Sequence, residues 1–182
     1  MRIIAGDAKN RKLKTRKGRD TRPTLGSMKE SLFSIIAPYV EDSRFLDLFS
    51  GSGNISLEAL SRGAKKAIMI EKDSEALRYL IENVNTLGFE DRCRAYKNDV
   101  FRAIEILGRK GEKFDIIFMD PPYKDELCTR VMRAIQKHEL LADGGLIICE
   151  HHLFEDMADE IGEFKKADER KYGKKCITFY TR

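Results

Sequence analysis

The sequence has no apolar run approaching the roughly 18 residues that a membrane-spanning helix needs. Its first residues, Met1-Arg2-Ile3-Ile4-Ala5-Gly6, hold no apolar signal-peptide core. A cytoplasmic protein without a membrane partner is therefore expected. Cysteine is sparse. Cys93, Cys128, Cys149 and Cys176 are the four present, and none lies within four residues of another. Zinc-ribbon spacing is missing, no metal is expected, and a cytoplasmic setting disfavours disulfides. Small buried hydrophobes are the expected role of these thiols. Repeats and low-complexity segments are also missing. The 182 residues, 42% of them hydrophobic, are expected to form a single domain spanning 1–182, with no sign of a second.

Charge is present but unevenly spread. The net charge is only +4. Residues 1–30 carry ten Lys and Arg against Asp7, Asp20 and Glu30, and residues 165–182 carry seven against Asp168 and Glu169. Two basic ends flank an acidic body. Such a distribution suits a polyanion, bound through phosphate contacts and counterion release. Arg2, Arg11, Lys12, Lys14 and Arg22 are the candidate contacts, on a basic arm or β-hairpin over residues 1–22 that extends the domain.

After the arm, Arg22-Pro23-Thr24 breaks the chain. A helix is predicted from Ser27, with Glu30 completing a capping box, an apolar face at Leu32, Phe33, Ile35 and Ile36, and Pro38 as its end. Strands and helices then alternate. Strands are predicted at 45–49, 67–70, 94–97, 114–119 and 145–149, with helices at 54–62, 74–87, 100–107 and 126–137. Gly63 and Gly88 stop the first two of these helices. A weak helix over 154–161 precedes two closing strands, 165–171 and 176–180, too closely spaced for a crossover. The fold class is α/β: a doubly wound, mostly parallel seven-stranded sheet ending in an antiparallel hairpin.

Chemistry is concentrated at the ends of the predicted strands. Asp47-Leu48-Phe49-Ser50-Gly51-Ser52-Gly53 runs from a buried strand through a glycine turn into a helix, where free N–H groups await a ligand. A third glycine at dinucleotide-fingerprint spacing is missing, because Ser56 stands there. Glu71 ends the second strand, twenty residues beyond Gly51, where an acid can accept both ribose hydroxyls. Asn98-Asp99-Val100 follows the third strand; its acid could meet an adenine amino group or cap the next helix. Asp120-Pro121-Pro122-Tyr123 follows the fourth. Its prolines lack donors and fix φ, so a stiff turn must sit at the carboxyl end of that strand. Together these ends suit an adenosine-containing cofactor plus one further carboxylate.

Read in this order, Asp47 to Gly53, Glu71, Asn98-Asp99 and Asp120-Pro121-Pro122-Tyr123 resemble the Rossmann-like class I S-adenosylmethionine-dependent methyltransferases. An Asp/Asn-Pro-Pro-aromatic motif marks those that methylate amino nitrogens conjugated to a planar system. Arg2-Ile3-Ile4-Ala5-Gly6, Arg11-Lys12-Leu13, Arg22-Pro23-Thr24, Glu30-Ser31-Leu32-Phe33 and Leu57 to Ala64 further resemble the RsmD family. That resemblance covers essentially the whole chain. It departs at Asn54-Ile55-Ser56, where the family more often has small apolar residues or glycine. It implies transfer of a methyl group from S-adenosylmethionine to N2 of a guanine in 16S rRNA, guanine 966 being the family target.

The resemblance also implies site roles. The cofactor would be held by Asp47, Phe49, Ser50, Gly51, Gly53, Glu71, Lys72, Asn98, Asp99 and Val100, with Glu30 and Thr24 closing over it or meeting RNA. Asp120, Pro121, Pro122 and Tyr123 would form the catalytic clamp on a flipped-out base. The expected partner is 16S rRNA or a small-subunit assembly particle, met by a monomer. Three rivals remain at this level: a nucleotide-dependent oxidoreductase, a methyltransferase of DNA adenine, other RNA or protein glutamine, and a non-catalytic RNA-binding protein.

Overall fold

The computed structural model describes residues 1–15, 23–122 and 126–182, without the side chains at 23–25. In chain order the elements are α1 (Pro23–Ile35), α2 (Ala37–Val40), β1 (Arg44–Asp47), α3 (Asn54–Ser61), β2 (Lys66–Glu71), α4 (Ser74–Leu87), β3 (Cys93–Lys97) and α5 (Val100–Arg109). They continue as β4 (Phe114–Met119), α6 (Leu127–Lys137), β5 (Leu141–His152), β6 (Glu160–Ile161), β7 (Phe164–Tyr172) and β8 (Lys175–Thr181). The strands form one sheet in the order β3-β2-β1-β4-β5-β8-β7-β6. β3, β2, β1, β4 and β5 are parallel, and β8, β7 and β6 join antiparallel.

Both faces of the sheet are covered, so its central strands read as unbroken apolar runs. On one face Phe45, Met69, Ile116, Phe118 and Ile148 pack with Leu32 and Phe33 of α1, Leu57 and Leu60 of α3, and Leu80 and Val84 of α4. On the other, Leu46, Ile117, Met119 and Ile147 pack with Ile104 and Leu107 of α5 and Val131 and Ile135 of α6. All four cysteines are buried and free. Asp115, the single acid within β4, is not idle: its Oδ2 accepts a hydrogen bond from the Arg44 N–H at 2.7 Å, fixing where β1 begins.

Several expectations need correction. The sheet has eight strands, not seven. The extra strand, β6, arises where a helix over 154–161 was expected. That segment buries only Met157 and Ile161, while Phe154 is 86% exposed. Its backbone acceptors are also taken from outside: Ala158 O by the Tyr180 hydroxyl at 2.6 Å, and Asp159 O by the Lys166 N–H at 2.8 Å. These bonds tie the segment to β8 and β7. Residues 164–166 therefore pair with 159–161, and the edge gains a strand.

At the other end, α1 starts at Pro23 and not at Ser27. Proline suits a first helical position, so Ser27 and Glu30 lie inside the helix. Pro38 does not end it but opens the short α2. β1 stops at Asp47, two residues earlier than expected. β5 begins at Leu141, four residues earlier than expected, with a register break that pairs Phe114 with Leu141 but Ile116 with Leu146.

Over its described residues, 1–15, the basic arm turns back on itself with a β-bridge between Arg2 and Lys12. It is less an appendage than its charge suggested. Ile3, Ala8 and Leu13 are buried in the main core. Gly6 touches the end of α3 so closely that a Cβ would lie 1.7 Å from Ser61 O, and its φ is +81°. Only glycine fits there.

Candidate active site

Parallel pairing brings the carboxyl ends of β3, β2, β1 and β4 to one edge in that spatial order. Each ends in a polar group: Asn98-Asp99 after β3, Glu71 closing β2, Asp47 closing β1, and Asp120 after β4. Open α/β sheets hold their ligands in this crevice.

Asp47 is 1% exposed. Its Oδ2 accepts from Ser56 Oγ at 2.5 Å and its Oδ1 from the Phe49 N–H at 3.2 Å. Burial pushes its pKa up to about 6, against the downward pull of the hydrogen bonds from Ser56, Phe49 and Ser50, while the nearby Glu71 charge adds to the rise. The native state thus keeps this proton to higher pH than the unfolded chain, so stability falls as pH rises from about 4 to about 6. Above that window the full cost, on the order of 3 kcal/mol, is present. Asp47→Asn removes the charge and keeps an acceptor for Ser56. It is expected to raise Tm at pH 7.5 by several degrees, with the gain shrinking as pH falls toward 4. Calorimetric melts across that range check this.

The glycine turn is anchored to the sheet. The Ser50 N–H donates to Ile70 O at 2.9 Å and the Gly53 N–H to Ser50 O at 2.7 Å. Gly53, the N-cap of α3, has φ +85°, and a Cβ there would lie 2.9 Å from Leu80 Cδ1. At Gly51 (φ +53°) an added Cβ would meet nothing within 4 Å. The space over this glycine is open, as a cradle for a ligand requires. Glu71 is fixed beside it: Oε2 accepts from the Gly51 N–H and Oε1 from the Asp73 N–H, both at 2.7 Å. Each oxygen keeps a second lone pair for another donor.

Asp99 caps α5 by accepting from the Phe101 N–H at 3.0 Å, and its other oxygen lies 3.6 Å from Lys72 Nζ. Asn98 Oδ1 accepts from the Asp99 N–H at 2.9 Å. Phe49 is half-buried, and the Val100 side chain belongs to the core. Beyond β4, Asp120 is half-buried, Pro121 buried and Pro122 exposed. Glu30 is exposed on α1. Tyr123 and Arg22 lie outside the described residues, as does the side chain of Thr24.

Sequence reasoning passed over the side chains that lock the arm to this edge. Glu58 of α3 is 0% exposed. Its carboxylate accepts from the Ile4 N–H at 2.8 Å, the Ala5 N–H at 3.0 Å and Arg62 Nε at 2.8 Å, and pairs with Lys29 Nζ at 2.9 Å. Asn83 of α4 is buried as well. A signal existed for Asn83: its spacing with Leu80, Val84 and Leu87 puts it on the apolar face of an amphipathic helix. Ser56, which holds Asp47, had only its place in the first turn after the glycines. Lys29 and Glu58 read as ordinary helix-surface charges.

The doubly wound sheet, the glycine turn at the end of β1 and the acid closing β2 define a class I S-adenosylmethionine-dependent methyltransferase. Residues 1–181 match the family model described as "Conserved hypothetical protein 95". The chain belongs to this family, the RsmD family of methyltransferases. It is 35% identical over 180 residues to the Bacillus subtilis protein YlbH, covering 99% of this chain and 98% of that one. It is 37% identical over 150 residues to ribosomal RNA small subunit methyltransferase D of Escherichia coli K12, covering 82% and 74%. The solved structure of yhhF from Escherichia coli superposes with a TM-score of 0.87 at 33% identity, covering 100% of this chain and 97% of that one.

Proposed function

We propose that this chain, acting as one domain, transfers the methyl group of S-adenosylmethionine to the exocyclic N2 of a guanine in 16S rRNA. The observation that carries the reading is the row of acids Asp99, Glu71, Asp47 and Asp120 on four adjacent parallel strand ends, beside a basic arm. The name of the Escherichia coli relative supports the small-subunit RNA; guanine 966 and its N2 rest on the family resemblance alone.

When bound, the cofactor supplies an electrophilic methyl group on a sulfonium. The residues present suit it. Asp47 accepts hydrogen bonds from an amino group of the methionine moiety. Glu71, already oriented by two backbone N–H groups, takes the two ribose hydroxyls. Asp99 faces adenine N6, with Asn98, Val100 and Lys72 shaping that end, and Phe49, Ser50, Gly51 and Gly53 let the backbone come close. By the family resemblance, Thr24 and Glu30 would close over the cofactor or meet RNA.

Guanine N2 is a weak nucleophile because its lone pair is delocalised into the ring. Asp120 and the Pro121 carbonyl accept hydrogen bonds from that amine at fixed angles, favouring a more tetrahedral nitrogen aimed at the methyl group. Pro121 and Pro122 hold the acceptors rigid, so their position is set before reaction. Tyr123 would stack on the base, which would leave its own stack to enter. Direct transfer needs no protein nucleophile.

The arm supplies the electrostatic side. Arg2 and Lys12 are cross-strand partners, both exposed. Like charges directly opposite repel, and a phosphate between them relieves the repulsion. Arg11 instead turns its guanidinium to Thr86 O at 2.6 Å, and Lys14 pairs with Glu82. Replacing Arg2 and Lys12 by Ala is expected to weaken RNA binding and to reduce the slope of log K against log salt by roughly two, measured by salt titration. Calorimetry with S-adenosylmethionine, followed by transfer of labelled methyl to small-subunit RNA or to DNA, tests the reading. Binding without transfer to RNA, or transfer to DNA alone, refutes it.

A further inference from the structure

The turn that would cradle the cofactor is held from two sides by the arm. Asn83, on α4, sits between them. Its two Nδ2 hydrogens go to Lys14 O at 2.9 Å and to Ser52 O at 3.0 Å, and its Oδ1 accepts from the Lys14 N–H at 2.8 Å. All its hydrogen-bonding hydrogens are used, half on the arm and half on the turn. Ser52 lies between Gly51 and Gly53.

The second link runs from the arm's first strand. Lys29 Nζ donates to Arg2 O at 2.7 Å and to Asn54 Oδ1 at 3.0 Å, and its third contact is Glu58. Asn54 is the first residue of α3. Ser52-Gly53-Asn54 is therefore gripped at its first residue by the arm's second strand and at its last by the first strand. The intermediary side chains, Asn83 and Lys29, are both buried.

A buried amide whose bonds are all made resists any shift of one partner without the other, because an unmatched group there costs about 1–3 kcal/mol. The glycine turn has open space over Gly51; the arm carries the exposed cations Arg2 and Lys12. We propose that Asn83 is a positioning residue that couples the two, so that S-adenosylmethionine and RNA bind this protein with positive cooperativity. Coupling between sites is reciprocal: a cofactor that orders the turn presents the arm, and RNA on the arm tightens the turn. This rests on the RNA-binding role given above to the arm.

The test measures RNA affinity with and without S-adenosylhomocysteine, using a small-subunit RNA stem–loop. In the native protein the product analogue is expected to tighten RNA binding by roughly 5- to 50-fold, a range typical of coupled sites. In Asn83→Ala the ratio falls toward one, and in Asn54→Ala, which cuts the other link, it falls part of the way. Replacing Arg2 and Lys12 by Ala lowers both affinities and leaves the ratio unchanged. Where Asn83→Ala does not fold, Asn83→Asp keeps the acceptor for Lys14 and loses both donors, and the same drop is read from it.

Hydrogen exchange gives a readout independent of RNA. The analogue is expected to slow exchange of the amides of residues 3–14 in the native protein and not in the Asn83 variant. Equal RNA affinity with and without the analogue in the native protein, or an unchanged ratio in the Asn83 variant, overturns the coupling. No RNA binding in any form would instead overturn the arm's role, while arm protection by the analogue would still stand.

Discussion

Asp120→Ala is expected to slow methyl transfer on the order of 10³-fold while leaving S-adenosylmethionine affinity within about threefold. The size follows from the loss of one preorganised electrostatic contact to a reacting group. The separation of effects follows from the strand order. Asp47 and Glu71 close β1 and β2, whereas Asp120 stands on the far side of β1, beyond β4. The β4 end is rigid before Asp120 is reached: the Leu48 N–H donates to Phe118 O at 3.1 Å, and Pro121 behind the acid is buried. Asp120→Asn keeps an acceptor and is expected to retain more activity than Ala. Single-turnover rates with saturating cofactor measure this. An Ala variant within tenfold of the native rate would remove Asp120 from the reaction.

Glu58→Ala should produce the largest loss of stability, about 3–5 kcal/mol, because it strands a buried Lys29 charge and leaves the Ile4 and Ala5 N–H groups without their acceptor. Burial pushes the Glu58 carboxyl upward, but the Lys29 charge and the hydrogen bonds from Lys29, the Ile4 N–H and Arg62 outweigh it, and its pKa lies below the ordinary value. Burial lowers that of Lys29, and Glu58 offsets only part of the shift. A carboxylate with a depressed folded pKa stabilises above its unfolded pKa and loses that contribution as pH falls through the folded value. The Ala penalty should accordingly be full at pH 7 and shrink in acid. Glu58→Gln keeps acceptors for the two backbone groups and should recover part of the loss. Urea midpoints across pH measure both, and a penalty under about 1 kcal/mol at pH 7 would show that the Glu58 cluster does not hold the arm.

These two residues also mark where the sequence was informative. Asp120 announced itself, because an apolar run followed by an acid and two prolines has few structural outcomes, and β4 falls on the predicted 114–119. The helix at 74–87 was equally plain, since Gly88 stops it, and the structure adds Asp73 as the cap at its start. Alternation of strands and helices was by itself enough to put Asp47, Glu71 and Asp99 at one edge, because parallel strands joined by crossover helices all end on the same side. Glu58 and Lys29 gave no comparable sign, and Asn83 only its place on the apolar face of a helix. Their partners lie far away in sequence, Ile4 to Glu58 and Lys14 to Asn83, and local periodicity cannot report a contact with a distant arm. The eighth strand was hidden for a related reason: Ala158 and Asp159 bond to Tyr180 of β8 and Lys166 of β7, and the sequence of 154–161 alone does not show those partners.

The central claim is that the crevice at the ends of β1, β2 and β4 methylates a guanine amine of small-subunit RNA. The most direct measurement incubates the purified protein with labelled S-adenosylmethionine and with small-subunit RNA or particles lacking the modification. Digestion to nucleosides and mapping of the labelled position follow. Label in N2-methylguanosine at a single RNA position, lost with Asp120→Ala, is the predicted result. Label in adenine or in DNA, or label in RNA that persists without Asp120, would contradict it.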